Sequence, residues 1–181
     1  SQGGRATWTN RFAQSFARWQ QLTGLTYTRI TFGGNDWDDG AAWGSGGAAG
    51  ARGDIRIAMR LLDGASNVLA FNQFPGGGSD MVLDSGDSAN WANTANQNRF
   101  LRNVVMHEHG HGLGLLHVCT QNTVILMEPF IDTSYDGPRQ DDIRGAQFNY
   151  GDPFENNNTA ATATPLGALA SGGTINSSPV P

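Results

Sequence analysis

HEHGHGLGLLH, residues 107–117, is the stretch on which the reading of the whole chain turns. All four histidines of the protein lie inside it. His107 and His111 are four apart, so a helix stacks them one turn above each other on one face. Two imidazoles so placed can grip one metal ion, and Glu108 can reach that metal's water. HExxH at this spacing is a zinc signature. His117 would lie about 15 Å along the axis from His107 if the helix continued. Ligands of one zinc, each about 2 Å from it, cannot be so far apart. The helix must therefore end between His111 and His117. Gly112 and Gly114 supply the break, and a left-handed residue at Gly114 swings the chain back over the metal. The spacing thus predicts His107, His111 and His117 as zinc ligands, with Glu108 beside them as general base. His109 falls off the shared face and is not predicted to bind the metal.

Composition narrows the partners. A length of 181 residues suits one domain with a core plus an extra segment. The net charge is −5 and no basic run occurs, which argues against nucleic acid. No apolar stretch is long enough to cross a membrane. No signal peptide is present, so the chain reads as a mature or trimmed form. The single cysteine, Cys119, rules out an internal disulfide framework, and a buried free thiol is expected there. The chain is read as a monomer.

Taken in order, residues 1–7 read as loose. Helical spacing of Phe12, Phe16 and Trp19 predicts a helix over Asn10–Leu22, capped by Thr9 and ended by Gly24. Leu25–Phe32 is rich in β-branched and aromatic residues and reads as a strand. Residues 33–53 form a glycine-rich loop whose tryptophans, Trp37 and Trp43, suggest partial order. Further strands are predicted at Asp54–Met59, Asn67–Phe74 and Met81–Leu83. The zinc helix runs over Asn96–Gly112, with Phe100 and Val104 leading one stripe down to His107. From Asp152 the texture turns to Thr, Ala, Ser, Asn, Gly and Pro, which reads as a linker or tail.

The histidine run resembles the zinc site of the metzincins, and Met127 in ILMEP resembles their Met-turn. QDDIRGAQFNYG, residues 140–151, resembles the C-terminal helix of the matrixin family. The resemblance implies an α+β metzincin fold. Its parts are a twisted mixed sheet, a backing helix, the zinc helix and a C-terminal helix. It divides the chain into a catalytic domain, residues 1–151, and a linker, residues 152–181, leading to a further domain. It implies a secreted endopeptidase that hydrolyses peptide bonds of proteins with one catalytic zinc. The rivals are another metzincin family and a zinc-holding module that binds partners without cutting.

Residue roles follow from the same resemblance. The strand around Val68, Leu69, Ala70 and Phe71 would be the sheet edge along which a substrate chain lies. Pro129, Phe130 and Ile131 would wall the pocket for the residue after the cut bond. The family's usual tyrosine is missing there, and an apolar residue such as leucine is expected. Met127 would be an apolar floor beneath the ligands. One of Asp141 and Asp142 would brace the Met-turn and the other could pair with an N-terminal amine. Favourable charge at a helix N-terminus is the alternative for both. Asp63 and Gly64 match a calcium loop of the family, and Asp84 and Asp87 its carboxylate half. Oxygens from two loops suit structural Ca²⁺, while ordinary turn aspartates remain the other reading. Asp80 matches an aspartate of a second calcium site. Departures also count. Phe71 and Val82 stand where histidines of a structural zinc would be, so no such zinc is expected. Val118 replaces the usual serine after the third histidine. The family's strand before the first helix is not found, so it is either cut away or supplied by a segment outside this sequence, and the sheet could then carry an exposed edge.

Overall fold

The computed structural model describes residues 4–31, 33, 40–119, 124–154, 157, 159 and 161–163. The architecture is α+β. Helix α1 (Gly4–Leu22) is followed by strands β1 (Ile57–Arg60), β2 (Ala70–Asn72) and β3 (Met81–Asp84), then helices α2 (Ser88–Trp91), α3 (Ala95–Gly112) and α4 (Gln140–Tyr150). The sheet order is β1–β3–β2. β1 runs parallel to β3, pairing Ile57 with Met81. β2 runs antiparallel to β3, pairing Ala70 with Leu83. β2 is therefore an edge, with one side of its backbone open. No helix among the described residues is long and apolar enough to cross a membrane.

α3 is the axis of the packing. Leu101, Val104 and Val105 on one side join Met81, Leu83 and Trp91 in a core under the sheet. Met106 and Leu113 on the other join Trp19, Leu126 and Ala146. The helix is thus gripped by the sheet, by α1 and by α4. The indole N–H of Trp19 donates to the Met106 carbonyl at 3.1 Å, tying α1 to α3 one residue before the first ligand. Asn103, fully buried, donates to the Asp132 and Tyr135 carbonyls and accepts from Gly137 N–H. That single side chain pins the 132–137 segment to the zinc helix.

Several expectations need correction. α1 starts at Gly4, so Thr9 sits inside it rather than at its cap, and residues 4–7 are helical. Residues 1–3 lie outside the described set. Phe12 and Phe16 are half-buried, and only Trp19 of the three is fully enclosed. Leu25–Thr31 is not a strand and pairs with none among the described residues, and Phe32 lies outside them. A strand needs a neighbour's ladder. Here side chains supply the partners instead, since Thr23 Oγ1 accepts from Leu25 N–H and Gln20 Oε1 accepts from Tyr27 N–H. The strands expected over Asp54–Met59 and Asn67–Phe74 are both shorter than their apolar runs. At the start of α3, Asn96, Gln97 and Asn98 take φ values of 50°, 60° and 60° before the right-handed helix begins. Asn98 is held in that conformation by accepting from Arg11 Nε and donating to the Asn93 carbonyl. Cys119 is exposed rather than buried, because it follows the exposed His117 and Val118 along the surface. Trp37 and most of the 152–181 tail lie outside the described residues.

Residues 40–53 are folded against the sheet end. Asp80, fully buried, accepts from Gly44 N–H at 2.8 Å and from Arg56 N–H at 2.9 Å. The Arg56 guanidinium pairs with the same carboxylate at 2.8 Å. It also donates to the Ala41 and Ala42 carbonyls and lies 4.9 Å from the Trp43 ring. Trp43 thereby stacks on a cation while part of it stays in solvent.

Candidate metal centre

Two of the imidazoles are placed by helix geometry alone. His107 and His111 project from one face of α3, with ring centroids 4.9 Å apart. The third is delivered by the helix terminus. Leu115 N–H bonds back to the Gly110 carbonyl and Gly114 N–H to the His111 carbonyl, both at 2.9 Å. This is the paired bonding of a Schellman turn, with Gly114 left-handed at φ 86°. Val118 N–H then bonds the Met127 carbonyl at 2.9 Å, which fixes the returning chain over the site. His117 Nε2 ends 3.1 Å from both His107 Nε2 and His111 Nε2.

The donor set fits zinc. Two Zn–N bonds of about 2.05 Å at a tetrahedral angle set their nitrogens about 3.3 Å apart. His107 Nδ1 donates to the Leu126 carbonyl at 2.6 Å and His111 Nδ1 to the Leu115 carbonyl at 2.7 Å. Those bonds place the protons on Nδ1 and turn the Nε2 lone pairs toward His117. Burial pushes His107 down to about 4, helped by His111 and His117 and opposed by the Leu126 carbonyl. His111 is likewise lowered, chiefly by burial. Both rings are therefore neutral at pH 7, and lone pairs converging on one point call for a cation. Among the described residues this triad is the one group of three or more His, Cys, Asp or Glu side chains whose ligand atoms lie within 4.8 Å of one another.

Glu108 is buried beside the ligands. Burial pushes its carboxyl up to about 8, against a backbone N–H donated by Asn72 of the edge strand. His109 faces the opposite way. It is enclosed by Phe16, Trp19 and Tyr27, and its Nε2 lies 2.6 Å from the Tyr27 hydroxyl. Burial drives it down to about 3, so it stays neutral inside that aromatic box.

Met127 is buried, with its side chain against Gly110 of the HExxH helix. A Cβ at Gly110 would meet its sulfur, so a larger residue there would require the methionine side chain to shift. Asp142 accepts from Leu126 N–H at 2.9 Å, Met127 N–H at 3.0 Å and Arg139 N–H at 2.7 Å. The Leu126 carbonyl in turn holds His107, so α4 is linked to the first ligand through one turn. Burial raises Asp142, against the three N–H donors that lower it. Asp141 is exposed in the first turn of α4.

The cleft walls differ in exposure. Leu69 O and Gln73 N bond toward β3, so alternation turns the N–H and C=O of Ala70 and the C=O of Asn72 to the open side. Val68 is exposed, Leu69 and Phe71 are half-buried, and Ala70 is buried. Of the expected pocket residues, Phe130 is 78% exposed, Pro129 is exposed, and Ile131 packs on the core. Phe74 was not singled out from sequence, yet its ring lies 5.6 Å from that of His111. Its place just past a strand and before Pro75 was the available signal.

The aspartates of the 62–68 and 84–87 loops face one another. Burial raises Asp84, but N–H groups of Gly86, Leu62, Asp63 and Gly64 outweigh it and hold the carboxyl down to about 2. Those four donors occupy both of its oxygens. Asp63 accepts from Val68 N–H. Asp87 Oδ1 accepts from Ser66 N–H and Asn90 Nδ2, while its buried Oδ2 has no partner among the described residues.

Gly114→Ala tests the turn. A left-handed alanine costs about 1–2 kcal/mol, with no steric clash to add. The variant is expected to fold and to bind zinc about tenfold more weakly in a chelator competition, because the strain opposes the position of His117.

The sequence profile described as Matrixin matches residues 2–151. Stromelysin-1 of Rattus norvegicus is 33% identical over 164 residues, covering 83% of this chain and 30% of the relative. Stromelysin-1 of Equus caballus is 32% identical over 147 residues, covering 75% and 26%. Matrix metalloproteinase-16 of Homo sapiens is 31% identical over 150 residues, covering 77% and 23%. The chain thus spans less than a third of the length of these relatives. With the histidine turn, the buried methionine and the edge strand in the same chain, the protein belongs to the matrixin family.

Proposed function

We propose that the chain is the catalytic unit of a secreted zinc endopeptidase acting on proteins and peptides. The convergence of three Nε2 atoms beside a buried carboxyl group carries this reading. Zinc held by His107, His111 and His117 supplies a Lewis acid, making water a nucleophile near neutral pH and steadying charge on a carbonyl oxygen. Glu108 moves the proton. It takes one from the attacking water and passes it to the leaving amine. The open backbone groups of Ala70 and Asn72 orient an extended substrate antiparallel to β2. Ile131 and its neighbours form the wall for the residue after the cut bond, where an apolar side chain fits. Asp142 keeps the Met-turn, and hence His107, in register.

The test combines metal analysis with a cleavage panel of proteins and peptides. One zinc per chain, and cleavage abolished by phenanthroline and restored by zinc, is expected. Stoichiometric zinc with no cleavage of any substrate would transfer the reading to a partner-binding module. The family uses structural calcium as well as catalytic zinc. Asp87 Oδ2, unpartnered among the described residues and facing the 62–68 loop, supports a calcium site here. Added Ca²⁺ is expected to raise Tm by about 5 °C, and to do nothing in Asp87→Asn. An unmoved parent Tm would remove that part of the proposal.

A further inference from the structure

Phe74 lies two residues past the end of β2 and remains 45% exposed. It is not loose. Its carbonyl accepts from Gly77 N–H at 2.7 Å, and the following turn, Pro75–Gly77, opens on a proline. Asn72 Nδ2 bonds the Gln73 and Ser79 carbonyls, and Gln73 N–H bonds the Asp80 carbonyl. The turn is thus closed on itself and fastened at Asp80. It holds a phenylalanine half in solvent beside a metal ligand, tilted 58° to the His111 ring. A large ring left open to water loses much of the burial energy it could have had, so a rigid one beside a reaction centre points to an occupant.

We propose that Phe74 is a specificity-determining residue. Its ring forms an apolar wall for a large aliphatic or aromatic side chain on the N-terminal side of the bond to be cut. The inference rests on the endopeptidase reading. Its direction follows from the strand. A substrate antiparallel to β2 runs backwards relative to residues 68 to 74. Glu108, bonded to Asn72 N–H, marks the reacting bond. Substrate residues after the cut therefore lie toward Val68, and those before it toward Phe74. Phe74 is two residues beyond Asn72, about 6.6 Å along an extended chain at about 3.3 Å per residue, so its ring meets a side chain about two residues upstream.

The experiment digests a proteome-derived peptide library with the zinc-loaded parent, Phe74→Ala and Phe74→Leu, and reads cleavage sites by mass spectrometry. The parent is expected to enrich large apolar residues upstream of the cut. Phe74→Ala should lose that enrichment. Its kcat/KM should drop about tenfold on a peptide with an upstream phenylalanine, and by much less on one with alanine there. Zinc content and the profile downstream of the cut should match the parent, and Phe74→Leu should restore most of the preference. A parent that cuts with no upstream apolar preference, or an unchanged upstream profile in Phe74→Ala, overturns this proposal and leaves the endopeptidase reading standing. A parent inert on the whole library overturns that reading and this proposal with it.

Discussion

Glu108→Ala is expected to bind zinc as the parent does and to lose cleavage by at least about 10²–10⁴-fold in kcat/KM. The ligands are untouched, and each is anchored independently of Glu108 by a main-chain carbonyl or by the Schellman turn. Metal content by atomic emission and turnover of a quenched peptide report the two halves separately. Loss of zinc along with activity would mean that Glu108 shapes the site rather than moving protons. The pH dependence adds a second check. Burial pushes Glu108 up to about 8, and a dication nearby draws a carboxylate back down. Activity should therefore fall with acid through a pKa below 8 belonging to this group. In the metal-stripped protein the sign for stability is fixed. A folded pKa raised above the unfolded one gives stability that is complete below about 4.5 and lost as pH rises through about 8. Stripped Glu108→Gln should then be more stable than the stripped parent at pH 8, by at least about 1 kcal/mol.

Asp80→Ala is expected to destabilise the fold by about 3–5 kcal/mol, because it removes a fully enclosed carboxylate from a buried ion pair. Arg56 is only 7% exposed and Asp80 is fully enclosed. The lost carboxylate also strands Gly44 N–H and Arg56 N–H. For a chain of this size that is a fall in Tm of about 10 °C. Converting both partners together, Arg56→Met with Asp80→Leu, should cost less, since the two charges of the pair are removed together. If Asp80→Ala melts within about 1 °C of the parent, the pair is not what holds residues 40–53 to the sheet.

The metal centre was legible because its geometry is set by covalent spacing. Four residues make one helical turn, and a glycine just past the helix makes the reversal, whatever the remainder of the chain does. His109 was correctly placed off the ligand face for the same reason. Its partner was not legible, since Tyr27 lies 82 residues earlier and meets it only through the packing of α1 on α3. Arg56 was hidden in the same way. In DIRIAM it reads as one more strand residue, and only the folded loop reveals the anion beneath it. Leu25–Thr31 was misread because propensity reports side-chain fit to a pleated surface and says nothing about whether a neighbouring strand exists. Cys119 was misjudged by a rule about cysteines in general, when its position beside an exposed ligand should have outweighed it.

The groups that aim the first two imidazoles are the carbonyls of Leu126 and Leu115. Every amino acid carries that oxygen, so no point substitution at 115 or 126 deletes it. Evolution can resize both side chains without resetting either tautomer, and a designer seeking to retune the metal must move the backbone itself.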